Sequence, residues 1–269
     1  YTYCMFCTDD KHPNDLLEKG HIDYIVRRAI KSGVDPIIAV KCASHHAARY
    51  FLLNNRGAIA PGFLADFVVI DNFDDFNILE VYKKGKLMFD GKTVTPFEAP
   101  EIDPHLVKRS HETFHVAHLE ATDFIESRPR AVLGMVPGEI VTTDAGYAEK
   151  ISIEDDILKI AVIERHKNTH HIGIGYIKGY GLKSGAVATS ISHDSHNIIV
   201  VGVNEEDMAA AVNRVVELGG GIVVMDDGKV LGELQLQIAG IMSEAPLIEV
   251  NEALENAKEQ AFKLGVSRG

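Results

Sequence analysis

The sequence has no long apolar run and is short of basic residues. Its longest apolar run, Ile198 to Val203, is far shorter than the ~20 residues that span a bilayer, so no membrane-spanning segment is expected. The 27 lysines and arginines are outnumbered by 39 aspartates and glutamates, which gives a formal net charge of −12. A surface this acidic repels phosphate backbones and anionic lipids, so neither nucleic acid nor a membrane is expected as a partner.

Cysteine is scarce as well, with only Cys4, Cys7 and Cys42. An odd count with no signal-like segment ahead of it is typical of a reducing compartment, so a cytoplasmic location is expected. Cys4 and Cys7 have the spacing of a zinc-binding pair, but such a site needs a second pair or histidines at ligand distance. Two thiols buried on one strand are therefore the preferred interpretation.

The remaining composition is typical of a folded globular protein, with 46% hydrophobic and 25% charged residues. A chain of 269 residues predicts about two domains at roughly 150 residues each. The residue pattern divides the chain more finely into three sections. These are an α/β section over 1–55, a β section with a linker over 56–104, and an α+β section over 105–269.

The first section begins with an aromatic, β-prone run, Tyr1 to Cys7, which predicts a strand. A helix is predicted over 21–32 because its apolar residues fall on one stripe. A second helix is predicted over 36–43, where an aspartate and a proline form a typical helix start, and a short third one runs through Tyr50. The stripe on the first of these helices consists of Ile22, Ile25, Val26, Ala29 and Ile30.

The second section changes to short β-rich runs that glycine and proline interrupt. Phe67–Ile70 and Lys86–Phe89 predict small antiparallel strands, with a hairpin turn at Lys84-Gly85. Prolines mark a linker over 95–104.

The last section predicts a sheet with two helices. A strand within 151–163 and a buried strand over 198–203 precede a helix that Asn204 caps. Asp227-Gly228 has the sequence of a tight hairpin turn, and an amphipathic helix is predicted over 251–264.

Two neighbouring carboxylates, Asp9 and Asp10, follow the first predicted strand directly. In a parallel sheet or barrel this position is the carboxyl edge of the strands, where active sites gather. A carboxylate there can bind a divalent metal ion and accept a proton from metal-bound water. The alternative is an Asx turn or a helix cap, positions that aspartate also favours.

A second candidate group is His193-Asp194-Ser195-His196, with two imidazoles and a carboxylate in four residues. On a continuous strand His193 and Asp194 would face opposite sides, so a shared site requires a turn at Asp194-Ser195. With a turn, these side chains can form a metal or anion site. The alternative is a polar turn with solvated histidines.

Several segments resemble the amidohydrolase superfamily, and in particular its bacterial adenine deaminases. Cys7–Pro13, Gly20–Asp23 and Arg27–Ala29 resemble the last barrel strand and helix of those deaminases. Arg56–Gly62 with Ala65–Val69 resembles the return of the chain into the small β-sandwich that many amidohydrolases share. The second group of segments indicates the superfamily and not the substrate.

The distal half resembles the C-terminal domain that is appended to adenine deaminases. The resemblance is carried by Ile191–Ile198, Gly219–Gly221 and Ile238–Ser243. Amidohydrolases of other substrate classes generally have no such domain, so these segments point to the deaminases. The resemblance implies a fold made of the last strand and helices of an incomplete (β/α)8 barrel, a small β-sandwich segment and an α+β C-terminal domain.

The resemblance also implies a reaction, the hydrolysis of adenine to hypoxanthine and ammonia with a divalent metal ion, manganese or iron. It gives Asp9 the roles of metal ligand and proton acceptor. Asp10 is implied to orient substrate or a metal-bound water, or else to cap the next turn. His193, Asp194 and His196 either help to close the adenine site or form a structural turn.

The sequence departs from the family at its front. The family's metal-binding His-x-His occurs nowhere in the 269 residues, and seven earlier barrel strands have no counterpart. The chain is therefore interpreted as a C-terminal fragment that is inactive alone. With those strands absent, the apolar stripe over 22–30 is expected to be exposed, repacked or buried in a homo-oligomer.

Two other interpretations stay open from the sequence. One is a self-standing, non-catalytic module that binds a metal or a small ligand through His193 to His196. The other is a fragment of an amidohydrolase with a different substrate.

Overall fold

The computed structural model describes residues 3–9 and 11–268, which form two compact units. The first unit is Tyr1–Glu101 and the second is Ile102–Gly269. The predicted division of the first unit near residue 55 stays a prediction.

The first unit combines four helices with a three-stranded antiparallel sheet in the order β1-β2-β3. Its strands follow its helices along the chain. The helices are α1 (Pro13–Lys19), α2 (Ile22–Lys31), α3 (Pro36–Ala43) and α4 (His45–Tyr50). The strands are β1 (Phe67–Ile70), β2 (Ile78–Lys83) and β3 (Lys86–Phe89). The predicted helices over 21–32 and 36–43 and the hairpin at Lys84-Gly85 are confirmed.

Part of the apolar stripe of α2 is packed inside this unit. Val26 is 2% exposed and shares a cluster with Ala39 of α3 and with Phe76, against which Ala29 and Ile30 also pack. Burying these side chains stabilises the helix pair without any barrel strand. Of the three outcomes expected for the stripe, the structure shows repacking for Val26, Ala29 and Ile30, and burial in a homo-oligomer stays a prediction.

The strand predicted over Tyr1 to Cys7 is wrong for the described residues 3–9, which belong to no sheet. The backbone N–H of Phe6 instead donates to the carbonyl of Cys42 at the end of α3, at 3.0 Å. A strand needs a neighbour that continues its hydrogen-bond ladder, and the sheet of this unit does not pair with residues 3–9. Cys4 and Cys7 are accordingly exposed, which corrects their expected burial, and only Cys42 is buried.

The second unit is built on an eight-stranded sheet in the order β11-β10-β8-β9-β6-β7-β4-β5. Neighbouring strands are antiparallel except β4 and β7, which pair in parallel. The strands are β4 (Arg130–Met135), β5 (Thr142–Ala148), β6 (Ile157–Ile163), β7 (Ile172–Lys178), β8 (Ala186–Thr189), β9 (Ile198–Gly202), β10 (Gly221–Asp226) and β11 (Lys229–Gln235). The helices are α5 (Pro104–His111), α6 (Glu205–Glu217), α7 (Leu247–Lys263) and a 3₁₀ turn, Ala121–Phe124.

This sheet carries a helix on each face. Alternate residues of β9 divide between the two faces, with Ile198 and Val200 in the cluster that holds α6 and Val201 in the cluster that holds part of α7. The strand is apolar on both faces because both are covered. The predicted α+β character of this half is confirmed, as are the buried strand at 198, the Asn204 cap and the hairpin at Asp227-Gly228.

Elements without a counterpart in the sequence predictions include α1, α5, β4 and β5. None of the helices over residues 3–9 and 11–268 has both the length and the apolar character needed to cross a membrane. The mixed helix and sheet content fits an amidohydrolase segment followed by an α+β domain, whereas a barrel strand is not found among the described residues.

Candidate functional site

Asp9 is exposed and lies in the irregular segment that precedes α1. The neighbouring Thr8 hydroxyl is hydrogen-bonded to the Nε2 atom of His21 at 3.0 Å. Asp10, its predicted companion, lies outside the described residues. Across 3–9 and 11–268, no three His, Cys, Asp or Glu side chains come together in a way that would hold a metal ion. The described residues therefore do not by themselves fit the divalent metal that the sequence resemblance implies.

His193 to His196 form a turn between β8 and β9. The turn lies at the end of the strands where β6 ends and β7 begins. This is the turn that a shared site required. The Nδ1 atom of His193 contacts the carboxylate of Asp194, and the two side chains are 82% and 85% exposed. The rings of His193 and His196 lie 6.1 Å apart and perpendicular to each other. The structure therefore brings the side chains of His193, Asp194 and His196 together in one turn.

His196 differs from the other two side chains because it faces inward. Its backbone N–H donates to the carbonyl of Ser192 at 2.5 Å. The Nδ1 atom of its ring is buried and has no hydrogen-bond partner among the described residues, and the same holds for Oδ1 of the next residue, Asn197. Buried polar atoms without partners are uncommon in folded proteins, so this end of the turn contains unused hydrogen-bonding capacity.

The loop that follows β6 supports the turn from one side. Nε2 of His166 donates to the carbonyl of Ser195 at 2.9 Å. The carboxylate of Glu164 holds the loop together by accepting from the Thr169 hydroxyl and from backbone N–H groups. Partial burial alone would raise the pKa of Glu164, but these hydrogen bonds outweigh it and lower the pKa to about 2.

Sequence reasoning missed the residue that holds the site together, Arg165. This side chain is 2% exposed, and its guanidinium donates to the carbonyls of His196, Thr113 and Ala239. Burial lowers the pKa of this guanidinium. An arginine just beyond a strand end carries no local signal of such a role, because its three partners are distant in sequence.

Two cavities of the first unit are lined by other side chains than the candidates. One, about 560 Å³, lies between α3, residues 57–59 and the strands β1 and β2. A second, about 510 Å³, lies beside Cys4 and is lined by Lys41, His45 and Arg49. Neither of these two cavities is lined by Asp9.

Comparison with known proteins relates both units to one group of enzymes. Residues 139–268 match the family model described as the adenine deaminase C-terminal domain, and residues 2–88 match that of the amidohydrolase family. An adenine deaminase of Kosmotoga olearia is 42% identical over 98% of this chain, and one of Desulfatibacillum aliphaticivorans is 43% identical over 97%. Adenine deaminase 1 of Rhizobium etli is 40% identical over 98% of this chain. In each case the chain spans 47% of the relative's own length.

Proposed function

We propose that the chain is part of an adenine deaminase of the amidohydrolase family, to whose family models and named members it is similar, and that the protein carrying it hydrolyses adenine to hypoxanthine and ammonia. The observation that carries the proposal is an identity of 40–43% with proteins named adenine deaminase over 97–98% of the chain. The chain spans about half the length of these relatives, so the activity is proposed for the whole protein.

The reaction needs a group that moves protons. Water adds to the purine carbon that bears the amino group, and the C–N bond to that group then breaks. The departing nitrogen must gain a proton to leave as ammonia, and the attacking water must lose one. We propose Asp9 as the acceptor of the water's proton and as its donor toward the leaving nitrogen, because a carboxylate can do both in sequence.

A divalent metal ion is proposed for the whole protein, with manganese or iron as the expected ion. Amidohydrolases are generally metal-dependent, and this chain is matched by that family's model over residues 2–88. Since the described residues do not form a metal site, Asp9 is proposed as one ligand and the other ligands would come from residues outside the described ones.

Substrate contacts are proposed for Asp10 and for the turn that holds His193, Asp194 and His196. The support for the turn is chemical, because it presents two imidazoles and a carboxylate side by side. A cytoplasmic location is proposed as well, which the three free cysteines support.

Asp9→Asn in the longer protein tests the proposed function. We expect the rate of hypoxanthine formation from adenine to fall by about 10²–10⁴-fold, because the substitution removes a proton acceptor. Asparagine has nearly the same shape as aspartate, so the fold should not change. Asp15→Asn is the matched control, since Asp15 is a partly buried carboxylate of the same unit that pairs with Lys19 at 2.5 Å. That variant should keep its activity.

Three results would contradict the proposal. They are full activity of Asp9→Asn, an equal loss in Asp15→Asn, and no hypoxanthine from the unsubstituted longer protein supplied with manganese or iron. The 269-residue chain alone is expected to produce none, because its described residues hold no metal site.

A further inference from the structure

Arg165 is a buried cation without an opposite charge beside it. Four polar or charged residues are buried in the described structure, Lys159, Arg165, Ser190 and Asp207. Lys159 pairs with the carboxylate of Glu205. The Asp207 carboxylate accepts from the side-chain amide of Asn204 and from the backbone N–H groups of Asp227 and Gly228 in the β10–β11 turn. Arg165 has no carboxylate at ion-pair distance among residues 3–9 and 11–268. A buried charge of this kind persists only where other dipoles replace water.

Three backbone carbonyls replace that water, and each belongs to a different segment. Nε donates to His196 in the 192–197 turn, Nη1 donates to Thr113 at 3.1 Å, and Nη2 donates to Ala239 at 2.9 Å. The backbone carbonyl of Arg165 itself accepts from the N–H of His115 at 2.8 Å. One side chain thus fixes the relative positions of three loops, all at the same end of the strands.

The surroundings of the guanidinium are shaped to fit it. The ring of Phe114 stacks on it with 4.2 Å between the guanidinium carbon and the ring centroid. Next to both side chains, Gly240 has a φ of +77°. A Cβ at that position would lie 2.7 Å from the Phe114 ring and 3.0 Å from Nη2 of Arg165. The 238–242 turn is held a second time by the Ser190 hydroxyl, which donates to the carbonyl of Gly240 at 2.5 Å.

We propose that Arg165 is a positioning residue that sets the place of the His193–His196 turn against the 238–242 turn. The guanidinium binds the backbone carbonyl of His196, so a shift of the guanidinium shifts the turn that carries His193, Asp194 and His196. For adenine turnover the proposal rests on the proposed function, whereas the positioning of the two turns is independent of it. Lysine cannot replace this arginine. The three carbonyls are arranged around a planar guanidinium, and a single ammonium group cannot donate hydrogen bonds to all three.

Hydrogen exchange on the 269-residue chain tests the positioning. In Arg165→Lys the backbone N–H groups of His196, which donates to Ser192, and of Ala239, which donates to Ser110, should exchange faster than in the parent. Lys159→Met is the matched control, because it removes the other buried cation near the opposite end of β6. The control should leave exchange at these two turns unchanged. Unchanged exchange in Arg165→Lys, or an equal increase in the control, would overturn the proposal.

Kinetics of the longer protein test whether positioning matters for the reaction. At a temperature where both variants are fully folded, Arg165→Lys should lower kcat for adenine by about tenfold to hundredfold, whereas Lys159→Met should keep it. In a double-mutant cycle, Arg165→Lys should add no further loss to His193→Ala, because both substitutions act through the same turn. Additive losses, or a normal kcat in Arg165→Lys, would overturn this part.

A milder variant keeps the proposal testable if Arg165→Lys does not fold. Phe114→Leu retains an apolar side chain but removes the ring on which the guanidinium stacks. It should produce the same increase in exchange at His196 and Ala239, and the absence of that increase would contradict the proposal. An unsubstituted longer protein without adenine activity would contradict the proposed function alone, since the exchange experiment would still decide the positioning.

Discussion

His193 and His196 occupy one turn, but they are expected to contribute differently to the protein. The side chain of His193 is 82% exposed, so its removal takes nothing from the packing of the domain. His196 is partly buried and has an unpartnered Nδ1 atom. Replacing it therefore changes both packing and hydrogen bonding, and His193 is the cleaner probe of a role in adenine turnover.

We predict that His193→Ala lowers kcat/KM for adenine in the longer protein at least about tenfold, roughly 1.4 kcal/mol of transition-state stabilisation. The melting temperature should not change, because the side chain is exposed. His105→Ala, which removes an exposed histidine of α5, is the control and should have normal kinetics. Normal kinetics in His193→Ala would contradict the prediction and would indicate that the turn has only a structural role.

Glu164 makes the stability of the protein depend on pH in a defined range. Its pKa of about 2 in the folded chain lies below the ordinary 4.5, so folding favours the ionised form. The stabilisation is complete above about pH 4.5 and is lost as the pH falls toward 2. Glu164→Gln should remove this part of the pH dependence, which thermal unfolding between pH 2 and 5 measures. Glu98→Gln, at an exposed carboxylate outside the helices and strands, should leave the dependence as it is.

At the scale of elements, α6 is fixed at its start by a cap and at its end by glycine. The Asn204 side chain accepts from the Asp207 N–H at 2.7 Å. The buried Asp207 carboxylate in turn accepts from the Gly228 N–H at 2.9 Å, which ties the helix to the β10–β11 turn. After the helix, Gly221 has a φ of +143°, and a Cβ there would lie 1.9 Å from the carbonyl oxygen of Leu234. Only glycine fits this entry into β10.

We predict that Asn204→Ala lowers the free energy of unfolding by about 1 kcal/mol, because the N–H of Asp207 loses its acceptor. Denaturant unfolding of the 269-residue chain measures this difference. Glu206→Ala removes an exposed acidic residue from the same first turn. At moderate salt it should cost less, about 0.3 kcal/mol, because salt screens its interaction with the helix dipole. An equal or larger loss in that control would contradict the capping argument.

At the scale of the whole molecule, the exposed apolar residues predict self-association. A consecutive group of them lies at the end of α4, and not on the α2 stripe, where Val26 is buried and Ala29 and Ile30 pack against its cluster. Tyr50, Phe51 and Leu52 are 68%, 65% and 77% exposed and are consecutive in the chain. Contiguous apolar patches on protein surfaces are usually contact sites.

We predict that the 269-residue chain forms oligomers and that Phe51→Lys shifts it toward monomers, because a charge is costly to bury at such a contact. Light scattering over a range of concentrations measures the mass. Ile125→Lys, at a single apolar residue that is 64% exposed in the second unit, should not change the mass. A parent chain that stays monomeric at high concentration would contradict the prediction.

Local patterns in the sequence predicted many elements of both units. The apolar run of β9, the Asn204 cap and the Asp227-Gly228 hairpin were all predicted, because a strand covered on both faces, a helix cap and a tight turn each leave their mark within a few residues. β5 left no such mark. Its sequence, Thr142–Ala148, is mostly polar and exposed, and it becomes a strand by pairing with β4 at the edge of the sheet.

By itself, the sequence determined the helix caps, the apolar strands, the acidic charge and the motifs that relate the chain to adenine deaminases, because each is encoded in neighbouring residues. Tertiary structure decided that residues 3–9 form no strand, that Val26 of the α2 stripe packs with Phe76, and that Arg165 reaches His196 and Ala239. Such contacts join residues far apart in the chain. They depend on strand order and register, which no local pattern records.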